Sequence, residues 1–409
     1  MVADRLPRLM DMNAPLAGVK ILDLTRILAG PLASVVLADL GADVVKVEPV
    51  RGGEVMRQIG GYRRNGFTAM FLSLNRGKRS LAVDLHDQRG QDLVRELADE
   101  ADVVLENFRP GAADAMGLGA ERLRAANPDL IYISISGYGP DGPSAGDPAY
   151  DAIIQGRSGM IARQVAKSGE PDLVQSFPID KLAGLFAAQA VTSALYARAT
   201  GAVRGQTVQV PMLDTALFYL WPDVLSDLAL VGEGVTPAEL PARKITLTRT
   251  KDGYLTYTVM SLRERIALAR AVNKPELNDD PRFTTMAGHS NPDNSRAFLA
   301  AIADGFSVLT TADALERLRA EKVSAGPVVA PEDVLADPQV LATGMIVESE
   351  HPTAGGFRQA RLPLYFDATP AESAARPAPR CGEHTVEVLA AAGVSAARIA
   401  ELRAAGVIE

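Results

Sequence analysis

Asp180 is the residue of this chain best placed for chemistry. It lies in Phe177-Pro178-Ile179-Asp180, directly before the apolar, small-residue stretch Lys181-Leu182-Ala183-Gly184-Leu185-Phe186-Ala187-Ala188. An aspartate at a helix start has two readings. It can be an N-cap that accepts bonds from the first free backbone N–H groups. It can also be a nucleophile, kept ionised by the positive end of the helix. A second candidate is electrostatic. Arg51, Arg57, Arg63, Arg64, Arg76, Lys78 and Arg79 face only Glu54 within one stretch, a local excess of +6 in a chain of net charge −8. The stretch follows the C-terminal end of a strand, where an anionic ligand docks, so it reads as a polyphosphate site or as a solvated surface. Asn107-Phe108-Arg109-Pro110-Gly111 brings an amide, an aromatic plane and a guanidinium together. That set can hold a purine nucleotide or simply form a turn. Gly137-Tyr138-Gly139-Pro140-Asp141-Gly142 has the spacing of a dinucleotide fingerprint after a strand, but Pro140 and Pro143 interrupt it and no periodic helix follows. It reads instead as a glycine-rich active-site loop with Tyr138 exposed.

The elements that must hold these residues alternate. Val19 to Leu24, Val44 to Val47, Leu81 to Leu85, Val103 to Leu105 and Ile131 to Ile135 are apolar, β-branched strands. Helices fall between them at Pro31 to Leu40, Gln91 to Ala98 and Ala120 to Ala126. Strands separated by helices at this spacing imply an α/β protein with a parallel, doubly wound sheet. Ligands on such a sheet bind outside the strands' C-terminal ends. From Ala149 to Thr200 the pattern is helical, and the alanines and glycine after Asp180 suit a closely packed central helix. A linker follows, with Gly232, Gly234, Pro237 and Pro241. Ile245 to Thr250 and Tyr254 to Val259, joined by Lys251-Asp252-Gly253, read as a β-hairpin with an Asp-Gly turn. The chain thus divides into a large N-terminal part (1–229), a smaller α+β domain (230–330) and a C-terminal part (331–409) that returns to the large domain.

Composition bounds the function. At 409 residues, with 47% apolar and 22% charged residues, the chain is an ordinary globular protein. Its acidic balance argues against nucleic-acid partners. No run reaches the roughly 18 apolar residues of a spanning helix, and Met1 to Pro15 has no signal-peptide core, so no membrane association is expected. The four histidines (86, 289, 351 and 384) lack metal-ligand spacing. Cys381, the single cysteine, reads as a stray thiol and favours a reducing, cytoplasmic location.

Taken together, the motifs resemble one family. Leu22-Asp23-Leu24-Thr25-Arg26-Ile27-Leu28-Ala29-Gly30-Pro31, then Leu37-Ala38-Asp39-Leu40-Gly41-Ala42-Asp43-Val44-Val45-Lys46-Val47-Glu48-Pro49, are similar to the opening of the class III CoA-transferases, the CaiB/BaiF family. Leu74-Asn75-Arg76-Gly77-Lys78-Arg79-Ser80, Glu106 to Gly111, Ser136 to Gly139, Ala325-Gly326-Pro327-Val328 and Leu402 to Ile408 continue the resemblance in order. It implies a Rossmann-like large domain built from both chain ends, a small domain between, and an interlocked homodimer. It also implies a CoA-transferase whose substrates are acyl-CoA and small carboxylic acids, with coenzyme A as the group transferred and no metal. Asp180 is then the nucleophile, forming an aspartyl anhydride and an aspartyl-CoA thioester. The matching CoA positions are Leu28, Ala29, Arg51, His86, Asn107, Phe108, Arg109, Gly137 and Tyr138, and backbone N–H groups near Gly137 to Gly139 are the expected oxyanion donors. Two positions depart from the family pattern: His86 replaces a frequent lysine and Ala115 a frequent arginine. Racemases of the family carry a catalytic histidine where this chain has Tyr150, a substrate-facing position. A phenol, ionising near 10, is a poor base at neutral pH, so transfer is favoured over racemisation or isomerisation. Thr248 to Lys251 stands where oxalate enzymes carry a glycine-rich lid, so no oxalate specificity is expected. Intramolecular transfer on a dicarboxylate stays open.

Overall fold

The computed structural model describes residues 14–164, 169–235, 247–285, 288, 291–369 and 376–409. The chain divides into two compact units, Met1–Ser226 with Gly344–Glu409, and Asp227–Thr343.

The first unit is built on six parallel strands: β1 (Lys20–Asp23), β2 (Asp43–Glu48), β3 (Arg79–Ala82), β4 (Val103–Glu106), β5 (Ile131–Ser136) and β6 (Gln206–Pro211). They lie in the order β3-β2-β1-β4-β5-β6. Ile21 of β1 pairs with Val44 on one side and with Val103 on the other. The strand order reverses at this point, which opens the crevice where doubly wound sheets take ligands. β6 was not foreseen from the sequence.

Because successive side chains point to opposite faces of a strand, the sheet feeds two cores. Ile21, Val44, Val103, Leu105, Ile133 and Ile135 face one of them. It is covered by α1 (Ala29–Asp39) and by a long helix, α4 (Pro178–Ala199). Leu22, Val47, Leu81, Val104 and Tyr132 face the other, which is filled by α2 (Gln88–Asp99) and by C-terminal residues Val388, Leu389, Ile399, Leu402 and Val407. The small residues of α4 have a packing reason. A Cβ on Gly184 would come within 2.5 Å of the Ala29 carbonyl oxygen at the start of α1.

The second unit has a three-stranded antiparallel sheet of Leu247–Arg249, Tyr254–Thr258 and Ser324–Pro327. Helices Leu262–Ala271, Pro292–Ser307 and Thr311–Ala320 accompany it, with a core that includes Leu255, Leu268, Phe298 and Leu318. The hairpin pairs Arg249 with Tyr254, so its connection is the four residues from Thr250 to Gly253, one more than the expected Lys251-Asp252-Gly253. Asp252 shapes it by accepting from the backbone N–H of Thr311 at 2.8 Å. Residues 245 and 246 of the expected strand, and 236–241 of the expected linker, lie outside the described residues.

Candidate active site

The loops at the C-terminal ends of β1, β4 and β5 enclose a cavity of about 230 Å³ at the switch point. Leu28, Ala29, Asn107, Phe108, Arg109, Gly137, Tyr150 and Asp180 all line it, as do Arg26, Ile27, Ser136, Asp147 and Met212. Eight positions singled out in the sequence, drawn from five separate stretches, therefore meet in one cavity. Arg51, His86 and Tyr138 do not line it.

Asp180 is not the helix cap. α4 begins at Pro178 and is preceded by Phe177, so Asp180 sits in the first turn. The cap comes from a different helix, α3 (Asp151–Arg157). One carboxylate oxygen of Asp151 accepts from the backbone N–H of Ile179 at 2.7 Å and of Asp180 at 2.9 Å. The other accepts from Gln155 Nε2 at 2.6 Å. Asp151 is only 2% exposed. The helix end alone was expected to hold Asp180 ionised. Instead burial, reinforced by the Asp151 charge, pushes its carboxyl up to about 7. A helix terminus offers a fraction of a unit charge, which desolvation and a neighbouring anion outweigh.

The loop after β1 is held from below by buried charges. Asp23, at the end of β1, accepts from the Thr25 backbone N–H at 2.9 Å, from Ser34 Oγ at 2.6 Å and from Lys78 Nζ at 3.2 Å. Burial works against the Asp23 charge, but Lys78 and Lys46 overcome it and hold the carboxyl down at about 2. Lys46 Nζ donates to the Thr25 carbonyl at 2.9 Å and faces Glu54 at 3.4 Å. Glu54 in turn accepts from the Ile27 N–H at 3.0 Å. Ile27 has φ 69°, a strained conformation for a β-branched residue, and it lines the cavity. From the side, Asn107 uses both ends of its amide on Arg26. Its Oδ1 accepts from the Arg26 N–H at 2.8 Å and its Nδ2 donates to the Arg26 carbonyl at 2.9 Å. The Asn107 amide is therefore occupied in shaping the loop, and the Arg26 guanidinium lies 5.1 Å over the Phe108 ring.

The basic stretch is mostly matched by acids from earlier in the chain. Arg57 pairs with Glu48 at 2.6 Å, Arg76 with Asp39 at 2.5 Å, Lys78 with Asp23 at 3.2 Å and Arg79 with Asp43 at 2.5 Å. Of the other three, Arg51, Arg63 and Arg64 are exposed. The backbone N–H of Arg51 donates to Glu409, and the Arg64 guanidinium donates to the Gly356 carbonyl. His86 is exposed in the turn after β3, its N–H bonded to Asp84 at 2.9 Å.

Tyr138 is half-buried against the core rather than exposed, with the Arg157 guanidinium 4.5 Å over its ring. Gly139 donates its N–H to Ser136 Oγ at 3.1 Å, which leaves Gly137 as the glycine of the expected oxyanion loop that lines the cavity. A Cβ on Gly137 would sit 2.4 Å from the Ala149 Cβ, so the two loops meet only because this residue is glycine. Burial pushes the Cys381 thiol up to about 11, which makes it a poor nucleophile. Among the described residues no group of three or more His, Cys, Asp or Glu could hold a metal, and no helix is long and apolar enough to cross a membrane.

Asp151 was missed, although it adjoins Tyr150. Its partners lie 28 and 29 residues away, and no local signal announces them.

Comparison with known proteins gives a consistent result. A sequence model of CoA-transferase family III matches residues 16–385. Succinyl-CoA:glutarate CoA-transferase of Mus musculus is 34% identical over 93% of this chain and 86% of its own length. Succinate–glutarate CoA-transferase of Agrobacterium fabrum is 33% identical over 92% and 95%. The crystal structure of a CaiB/BaiF family protein from Brucella suis superposes with a TM-score of 0.80 at 33% identity, covering 93% of this chain and all of that one.

Proposed function

The chain belongs to CoA-transferase family III, and we propose that it moves CoA from an acyl-CoA to a carboxylic acid with Asp180 as the nucleophile. The observation that carries this reading is the position of Asp180. It lines the cavity at the topological switch point together with Leu28, Ala29, Asn107, Phe108, Arg109 and Gly137. Transfer between two carboxylic acids needs an attacking group that forms an anhydride reversibly, and a carboxylate is such a group.

In the first step an Asp180 oxygen attacks the thioester carbonyl, and the C–S bond breaks to give an aspartyl–acyl anhydride and CoA thiolate. The thiolate then attacks the aspartyl carbonyl, giving an aspartyl-CoA thioester and releasing the donor carboxylate. The acceptor carboxylate attacks that thioester, forming a new anhydride and freeing the thiolate again. Attack of the thiolate on the acceptor's carbonyl yields the new acyl-CoA and regenerates Asp180. The Gly137 loop is the proposed source of backbone N–H donors to the tetrahedral oxyanions, and loss of one such donor typically costs ~10²–10³ in rate.

Relatives named for succinyl-CoA and glutarate make a dicarboxylic pair the first choice of donor and acceptor. No histidine lines the cavity among the described residues, which supports transfer over racemisation. The test is Asp180→Ala assayed with succinyl-CoA and a panel of carboxylates, new thioesters being read by mass. Transfer should fall by ~10³-fold or more, and full activity in this variant overturns the assignment.

We also propose the interlocked homodimer that the family resemblance implies. Leu185 and Tyr196 on α4, with Phe218, Tyr219 and Trp221, are exposed on the single chain. Surfaces of that kind mark an interface. Sedimentation at the 43.3 kDa of one chain would overturn this.

A further inference from the structure

We propose that Asp151 is a positioning residue for the transfer reaction: it fixes the main chain of Asp180 from another helix and places a buried negative charge against the nucleophile. The inference rests on Asp180 being the nucleophile. Its basis is geometric. α3 and α4 both begin at the rim of the cavity, and a single oxygen of Asp151 receives the N–H groups of Ile179 and Asp180, at 2.7 and 2.9 Å. With Gln155 Nε2 on the other oxygen at 2.6 Å, each contact is a donor to an accepting carboxylate. Among the described residues no cation pairs with Asp151. A buried carboxylate held by neutral donors keeps its charge unneutralised, and that charge acts on its surroundings.

The groups that face Asp180 come from several elements. Arg26 and Arg109 line the cavity from the loops after β1 and β4, and Asp147 and Tyr150 line it from the segment before α3. Lys181, the next residue of α4, directs its Nζ to Ser176 Oγ at 2.7 Å. Of these surrounding groups, Asp151 is the one bonded to the main chain of Asp180.

Two consequences follow for the chemistry. The bonds from α3 set the first turn of α4, and so the direction in which the Asp180 side chain leaves the backbone; such pre-orientation lowers the barrier to attack. The charge also raises the energy of the Asp180 anion in the resting enzyme. When Asp180 attacks the thioester, its charge passes to the tetrahedral oxygen and then to the departing thiolate, so the aspartyl carboxyl becomes neutral and the repulsion is relieved. An interaction that is unfavourable before reaction and weaker after it favours the chemical step. Burial and Asp151 together account for the high ionisation range of Asp180.

Asp151→Asn is the informative variant, because it keeps an oxygen acceptor and removes the charge. The acid limb of kcat should move to lower pH by ~1 unit or more. At pH 8.5, where Asp180 is ionised in both proteins, kcat should fall by ~10-fold while KM for the acyl-CoA stays within about twofold, as expected for a ground-state charge effect. Asp151→Ala, which also loses the bonds to α4, should lose more.

A direct readout does not require turnover. Carbodiimide and an amine label the protonated carboxyl, and peptide mass spectrometry follows Asp180 as pH varies. In the wild type the labelling midpoint should lie near 7, and in Asp151→Asn below it. A wild-type midpoint near 4, or an Asp151→Asn midpoint and acid limb that coincide with the wild type, overturns the inference. Should Asp151→Asn fail to fold, a wild-type midpoint near 4 still overturns the inference. Failure of the functional reading looks different: Asp180→Ala would retain transfer while the labelling shift persisted.

Discussion

Two aspartates of the same unit, Asp23 and Asp180, meet opposite surroundings. Asp23 at the end of β1 is fully buried, yet Lys78, Lys46, Ser34 and Thr25 surround it and hold it down at about 2. Asp180 keeps partial access to the cavity, but burial and a second carboxylate push it up to about 7. The more deeply buried carboxylate is the more strongly ionised one. Burial alone therefore does not set the charge: it pushes both carboxyls up, but at Asp23 the two lysines and the hydroxyl donors reverse it, whereas at Asp180 the Asp151 charge adds to it. The pairing suits two tasks. Asp23 fixes the loop that shapes the cavity, where a stable charge is useful. In the proposed reaction Asp180 gives up its charge to a thioester carbonyl, where an anion poised near neutrality is useful.

The largest effect should come from breaking the paired side. Asp23→Asn leaves Lys78, which burial holds down to about 8 even with its partner, without its ion-pair carboxylate and with only the more distant Glu54 charge. Loss of one partner of a buried pair costs about 3–5 kcal/mol, readable as a lower urea midpoint. Adding Lys78→Met should recover most of it, since a buried pair can often be replaced by apolar groups. An Asp23→Asn protein as stable as wild type would remove the paired half of the contrast.

A smaller effect should have the opposite sign. A carboxyl whose folded range lies above its ordinary value of 3.8 binds protons that the unfolded chain has already lost. Its contribution to stability therefore falls as pH rises from about 3.8 to about 7, then levels off. For Asp23 the sign reverses: its contribution is full above 3.8 and is lost as pH falls through about 2. Asp180→Asn should thus gain melting temperature relative to wild type as pH rises from 4 to 7, and hold that gain at pH 8. A constant difference across that range would show that Asp180 is not the perturbed group.

Much of the frame was legible in the sequence. Apolar β-branched runs marked β1, β2, β4 and β5, because strands buried on both faces carry continuous apolar residues; β3, Arg79–Ala82, only overlaps the expected Leu81 to Leu85 because its first half is polar. β6 escaped notice because Gln206-Thr207-Val208-Gln209-Val210-Pro211 alternates polar with apolar and ends in proline, as an edge strand may. The basic stretch from Arg51 to Arg79 was legible as charge but not as structure. Its partners Asp23, Asp39 and Asp43 lie 55, 37 and 36 residues before the cations they meet. The same limit applies to the cap of α4. A window around Asp180 shows a carboxylate at a helix start, which locally reads as the cap itself.

The sequence by itself determined which side chains are available and along which elements they run: a doubly wound sheet, loops at its C-terminal ends, and an aspartate at the head of a small-residue helix. Residue type and period suffice for that, because they act over a few neighbouring positions. Only the tertiary structure decided what each charge does. Electrostatic energy depends on distance through space and on exclusion of water, and both were set when α3 and α4 came together at the cavity.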